Sequence, residues 1–278
     1  MTLAGGVPTD DDVAFFREHG WWVSPIVLTE DVLATARYGA ARYYDGEHDA
    51  RLLVEVPTDW KPADGDVLRQ NDYVSLQVRE VAELARHPTL AAMAARLVGA
   101  SEIRLFHDQL VYKPPGGGGV GWHNDRSYWT TCTSDDMLTA WVPLSDVDEE
   151  MGTLAVIDGS HRWAPAEGLE TFGDAESPIV NALRDSDRQR WRPRSLALSA
   201  GQVSFHHCRT IHGSGPNRRD RPRVALAIHY QDGSNRWRRQ VGRDGRSRGH
   251  INDLLCRRDA EGRPDYRDDE ICPRLWPV

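Results

Sequence analysis

At 278 residues with a formal charge of −8, the chain is long enough for one large domain, and its acidity excludes a protein that recognises nucleic acid with its surface as a whole. An apolar fraction of 40% with ten Trp and eight Tyr supplies a sizeable core, which excludes a disordered chain. Four scattered cysteines, Cys132, Cys208, Cys256 and Cys272, form no Cys-x-x-Cys pair; they exclude a zinc knuckle or disulfide framework and leave a reducing, cytoplasmic compartment as the expectation.

Met1 to Asp12 carries no basic-then-apolar leader, and no apolar run reaches membrane length, so neither export nor membrane insertion is expected. Thr9 caps a predicted helix whose first turn holds Asp10, Asp11 and Asp12 and which ends at Gly20. Trp21-Trp22-Val23 reads as a strand, and Thr29 to Tyr44 as a second helix. Asp45 to Gly65 is turn-rich. Val67 to Val98, broken at His87-Pro88, predicts two helices, because proline is tolerated in a first turn and not in a helix interior.

From Ile103 the pattern changes to strands. Ile103 to Lys113 runs into Pro114-Pro115 and the glycines Gly116 to Gly119, after which comes Gly121-Trp122-His123-Asn124-Asp125. A glycine run cradles phosphate only where it opens a helix, and this one leads into an extended segment. Side chains two apart on an extended segment share a face, so His123 and Asp125 pair as metal ligands. A second, distant histidine would complete a two-His-one-carboxylate face with open positions, the donor set of non-haem Fe(II) oxygenases. His206, His207 and His212 all compete for that place. The bland alternative is a satisfied buried His123 with Asp125 capping a turn.

Met137 to Leu144 and Thr153 to Ile157 read as strands flanking an acidic turn, Asp146 to Gly152. Ala164 to Arg194 is polar and irregular, an expected excursion over the mouth of the sheet. Strands resume at Leu196 to Leu198, Gln202 to His207 and Arg221 to Tyr230. Adjacent strand residues face opposite ways, so one of His206 and His207 faces a pocket and the other the outer layer. His107, His161 and His229 read as structural. The run Arg236 to Arg248, with Trp237, reads as a solvated surface or substrate lid and not a nucleic-acid patch.

Trp122-His123-x-Asp125, the run Trp141 to Val147, Gly152-Thr153-Leu154, Gly159-Ser160-His161, Lys113-Pro114-Pro115-Gly116, and His212-Gly213-Ser214-Gly215-Pro216-Asn217 with Arg223 eleven residues beyond His212 occur together and in order. Together they resemble the phytanoyl-CoA dioxygenase family of Fe(II)- and 2-oxoglutarate-dependent oxygenases, from Phe16 to about Gln231. The resemblance implies a mainly β fold with flanking helices, a double-stranded β-helix or jelly-roll, cupin-like barrel. It implies a single domain over 1–278, helical over about 9–100, with a jelly-roll core over about 101–231 and an extension over 232–278. It places His123, Asp125 and His212 as catalytic iron ligands and Arg223 as partner of the 2-oxoglutarate distal carboxylate. Ser214, Trp141, Lys113 and Thr153 are the further cosubstrate-pocket candidates.

Fe(II), 2-oxoglutarate and dioxygen are the implied cofactor and cosubstrates, and a small, polar specialised metabolite is the expected substrate. Hydroxylation is the expected outcome, with cyclisation, desaturation and epimerisation as variants on the same site. Halogenating relatives resemble this pattern with a small residue in place of the carboxylate, and Asp125 occupies that position here. A non-catalytic ligand-binding barrel or a zinc hydrolase would use the same three ligands.

Overall fold

The computed structural model describes residues 6–57, 59–163, 183, 185–242 and 244–277. Its helices are α1 (Asp10–His19), α2 (Glu30–Tyr44), α3 (Arg79–Ala85) and α4 (Pro88–Val98), with short turns of helix at Asp185–Arg188 and Asn252–Leu255. The ends follow their caps: the Thr9 side chain accepts from Asp12 N, Thr29 accepts from Val32 N, and Gly20 and Gly99 close α1 and α4 in the left-handed conformation.

The strands are β1 (Trp21–Val23), β2 (Arg69–Asp72), β3 (Ile103–Lys113), β4 (Val120–His123), β5 (Leu138–Pro143), β6 (Leu154–Ile157), β7 (Pro193–Ser195), β8 (Ser204–His207), β9 (His212–Ser214), β10 (Arg223–Asp232), β11 (Gln240–Val241), β12 (Ser247–Arg248) and β13 (Arg274–Trp276). The major sheet runs β1-β8-β5-β10-β3-β13, and β2 joins the same outer edge of β3 further along. The minor sheet runs β4-β9-β6-β7, while β11 and β12 form a separate hairpin. Every pairing is antiparallel, as a jelly-roll requires.

Strand alternation divides the major sheet into two faces. Leu138, Ala140, Val142, Leu226, Ile228 and Tyr230 pack outward with Leu33, Leu84, Leu90 and Met93 of the helices in one buried cluster. Trp141, Ala225 and Ala227 turn inward and meet Leu154 and Val156 of the minor sheet. The helices therefore back one face, and the space between the sheets is left for the site.

Two expectations are corrected. Residues 67–78 are not helical: Arg69-Gln70-Asn71-Asp72 is strand β2, and Tyr73, at φ 57, turns the chain into a single 3₁₀ turn, Val74–Leu76. Asn, Asp and Tyr are poor helix formers, and the open edge of β3 offers their backbone a ladder that a short helix does not match. The segment around Asp125 is not extended throughout. The strand ends at His123, Asn124 caps the next turn by accepting from Ser127 N, and Asp125 is the first residue of a 3₁₀ turn. Of the excursion expected over Ala164 to Arg194, 164–182 and 184 lie outside the described residues. All four cysteines are free and buried.

Candidate active site

The β4–β9 register sets His123 directly opposite His212, and the capped turn brings Asp125 under both. Their donor atoms lie within 4.8 Å of one another, and all three residues are buried. His123 Nδ1 is 2.8 Å from Gly121 O and His212 Nδ1 is 2.9 Å from Thr210 O. A carbonyl only accepts, so each Nδ1 carries the proton and each Nε2 keeps its lone pair. Those Nε2 atoms stand 4.0 and 3.5 Å from Asp125 Oδ1. Burial pushes both imidazoles below their ordinary range, toward the neutral form that ligation needs. Burial pushes the Asp125 carboxyl up, but the imidazole of His212 and those of His206 and His229 outweigh it and hold the group well below the usual range. Two neutral imidazoles and one ionised carboxylate, preoriented as an N,N,O donor set, can hold a divalent metal.

Thr139 Oγ1 donates to Asp125 Oδ2 at 2.6 Å and contacts His229 Nδ1 at 2.7 Å. His229 was expected to be structural; it lines the cavity beside the cluster, where burial pushes it down to about 4 and keeps it neutral. His206 and His207 divide as alternation requires. His206 is buried, 3.3 Å from Asp125 Oδ2 and ring-on-ring with His212 at 4.2 Å. His207 turns away, its Nδ1 accepting from Arg209 N and its ring beside His161.

The other end of the cavity is cationic. Arg223 and Lys113 are register partners on β10 and β3, and both are buried. Among the described residues no carboxylate pairs with Arg223, and its Nε has no hydrogen-bond partner. Burial brings its pKa down to about 10, and the guanidinium lies 5.4 Å from the Trp141 ring centre. Lys113 Nζ donates to Ser214 Oγ at 2.9 Å and to Gly215 O, which leaves the Ser214 hydroxyl proton for another acceptor. A buried guanidinium without an anion is a built receptor for a planar carboxylate. Arg223, Ser214 and Trp141 line the cavity together with His123, Asp125 and His212. Thr153 does not: it is buried with its hydroxyl donated to Leu196 O at 2.6 Å. Gln70 and Gln109, which sequence reasoning passed over, complete the wall. Gln109 could have been found from the alternation that puts it with Val111 and Lys113, whereas Gln70 lay in the segment misread as helix.

A double-stranded β-helix with this cluster at one end of its cavity and, at the other, a buried arginine that no carboxylate among the described residues pairs with is the arrangement expected of Fe(II)- and 2-oxoglutarate-dependent dioxygenases. The chain belongs to the phytanoyl-CoA dioxygenase (PhyH) family, whose model matches residues 16–225. It is 31% identical over 166 residues to a probable alpha-ketoglutarate-dependent hypophosphite dioxygenase of Stutzerimonas stutzeri, a match covering 59% of this chain and 57% of that one. The chain spans about half the length of the first curated relatives it matches. Among solved structures, the carbocyclase SnoK from nogalamycin biosynthesis shares the fold with a TM-score of 0.72 at 24% identity, over 96% of each chain. The epimerase SnoN, in complex with Fe3+, alpha ketoglutarate and nogalamycin RO, aligns with a TM-score of 0.70 at 25% identity, over 96% of this chain and 98% of that one.

Proposed function

We propose that the chain is a dioxygenase that hydroxylates a small, polar metabolite, with His123, Asp125 and His212 holding Fe(II) and Arg223 holding the distal carboxylate of 2-oxoglutarate. The observation that carries this reading is the pairing of two complementary deficits in one cavity: a preoriented N,N,O cluster and a buried guanidinium without an anion. Bound iron would supply dioxygen activation, with 2-oxoglutarate as reductant: one oxygen atom enters the substrate and the other enters succinate as CO2 is lost. The protein's own work is positional. Gly121 O and Thr210 O fix the imidazole tautomers, Thr139 fixes the carboxylate, and Lys113 turns Ser214 toward the cosubstrate end. Val111, Val120, Trp141 and Leu154 give the cavity apolar walls that limit water. The polar Gln70, Gln109 and His229 support a polar substrate.

No helix among the described residues is long and apolar enough to cross a membrane, and the four free thiols support a reducing, cytoplasmic setting. One buried cluster shared by helices and major sheet supports a single catalytic unit. The test is succinate release by purified protein with Fe(II) and 2-oxoglutarate across candidate polar metabolites, with product mass recorded. A gain of one oxygen supports hydroxylation; a loss of two hydrogens or an unchanged mass moves the assignment to desaturation, cyclisation or epimerisation. Turnover supported by zinc without dioxygen would replace it with a hydrolase.

A further inference from the structure

The register of the major sheet gives the cavity wall a charge polarity. Lys113 lies opposite Arg223. The next inward-facing row aligns Gln70, Val111 and Ala225, the next Asp72, Gln109, Ala227 and Trp141, and the last His107, His229, Thr139 and His206. Directly opposed residues share a face, so one end of the sheet face is cationic and the other is a row of imidazoles; Gln109, Thr139, His206 and His229 line the cavity itself, with Asp72 against Gln109 and His107 against His229.

Proton bookkeeping makes that far end acceptor-rich. Thr139 has one hydroxyl proton, and the Asp125 carboxylate takes it. The 2.7 Å contact between Thr139 Oγ1 and His229 Nδ1 is therefore made by an Nδ1–H donating to the hydroxyl oxygen. With its proton on Nδ1, His229 presents Nε2 as the acceptor side of the ring. His107 packs on it with ring centres 4.2 Å apart, is 8% exposed, and has no hydrogen-bond partner on either nitrogen among the described residues. Its Nδ1 is 3.8 Å from Asp72 Oδ1. Asp72 accepts from the Gln109 amide at 3.1 Å, and among the described residues no Lys or Arg pairs with it. Asp59, whose carboxylate accepts from Asp72 N, and Asp108 add negative potential from behind. Burial first and Asp59 second push the Asp72 carboxyl up to about 8, as for a carboxyl sequestered without a cation, and a buried imidazole beside it without a hydrogen-bond partner among the described residues marks a place where a donor belongs.

We propose that Asp72, His107 and His229 form the substrate-recognition wall and that the substrate carries a protonated amine. An ammonium has three donors and no acceptor, which matches a carboxyl that ionises against it and is flanked by imidazole lone pairs. Seated there, it places neighbouring carbons beside the His123–Asp125–His212 cluster and at the opposite end of the wall from Arg223. The proposal rests on the active-site reading above and adds the substrate class.

The test uses the protein loaded with Zn(II) and 2-oxoglutarate, its histidines labelled for NMR, titrated with 2-aminoethanol and, separately, with neutral ethylene glycol. The expected result is a saturable shift of the His107 and His229 ring signals with 2-aminoethanol and a far weaker one with the glycol. In Asp72→Asn, 2-aminoethanol binds about tenfold more weakly or worse, the scale of one hydrogen bond to a charged group. Equal response to both probes, no saturable response, or an affinity unmoved by Asp72→Asn overturns the proposal. If the variant does not fold, the two probes on the unmodified chain decide. Metal-dependent 2-oxoglutarate binding is followed in parallel: if it persists while the amine fails, only this inference falls, and if it is absent the active-site reading falls first.

Discussion

Arg223→Met separates a structural arginine from one kept for a ligand. The guanidinium is 2% exposed with no carboxylate paired to it among the described residues, and burial takes its pKa down from the ordinary arginine value to about 10, a displacement worth about 3 kcal/mol against the charged form. The Trp141 ring 5.4 Å away returns at most about 2 kcal/mol of cation–π attraction. Replacing this cation with an apolar side chain of similar length is thus expected to leave the ligand-free protein as stable as the parent, or about 1 kcal/mol more stable. With Mn(II) and 2-oxoglutarate the order reverses. The parent, at a ligand concentration of about 100 times its Kd, gains roughly 2.7 kcal/mol, whereas the variant has lost about 2–5 kcal/mol of binding, a rise in Kd of roughly thirtyfold or more. Urea unfolding with and without ligand, together with calorimetric Kd, measures both halves. A variant that loses several kcal/mol without ligand, or keeps the 2-oxoglutarate stabilisation, refutes the carboxylate-receptor reading.

Asp125→Ala is expected to remove Mn(II) or Fe(II) binding in calorimetry while 2-oxoglutarate without metal binds no differently. Thr139→Val strips the hydrogen bond from Asp125 Oδ2 and should weaken metal affinity by about 10- to 100-fold; unchanged affinity would show that the carboxylate is held by the turn alone. Asp72 has its pKa raised to about 8 by burial first and by Asp59 second. A carboxyl with a raised folded pKa favours folding below its ordinary 3.8 and loses that contribution as pH rises through about 8. Asp72→Asn should therefore flatten the fall of ligand-free stability between those values, and a parallel pH profile would contradict the assignment. Leu90→Ala, in the fully buried contact between α4 and the major sheet, should cost about 2–5 kcal/mol by denaturant midpoint.

How much of this was legible in the sequence depended on how far along the chain each signal extended. Strand β3 was read to its ends because eleven apolar-rich residues stop at a Pro-Pro pair, and α1 because Thr9 and Gly20 are local caps. His123, Asp125, His212 and Arg223 stood out because each sits in a short, chemically unusual run. The His206 and His207 split followed from alternation alone. Residues 67–78 failed because their conformation is decided by the free edge of β3, some forty residues away. Thr153 failed for a related reason: the strand on which a residue lies says nothing about which backbone carbonyl will claim its hydroxyl.

The residues to which the sequence assigned no part in the site share one property. Thr139, His229, His107 and Asp72 lie on four strands, β5, β10, β3 and β2, outside the short motif runs, and each is ordinary where it stands. Antiparallel register, with its shift between His229 and Tyr230, makes them neighbours. The period-two rule assigns each to a face but not to a row, because a row is fixed only when strands are slid against one another. The metal ligands and the arginine are tied to common family chemistry and so recur as motifs. A wall that selects one substrate is instead written across strands, one residue from each, and a change in selectivity needs only a substitution within a row. On this argument the place to look for differences in substrate among proteins of this fold is the Asp72–Gln109 and His107–His229 rows, and exchanging those residues should move substrate preference while leaving metal and 2-oxoglutarate affinity in place.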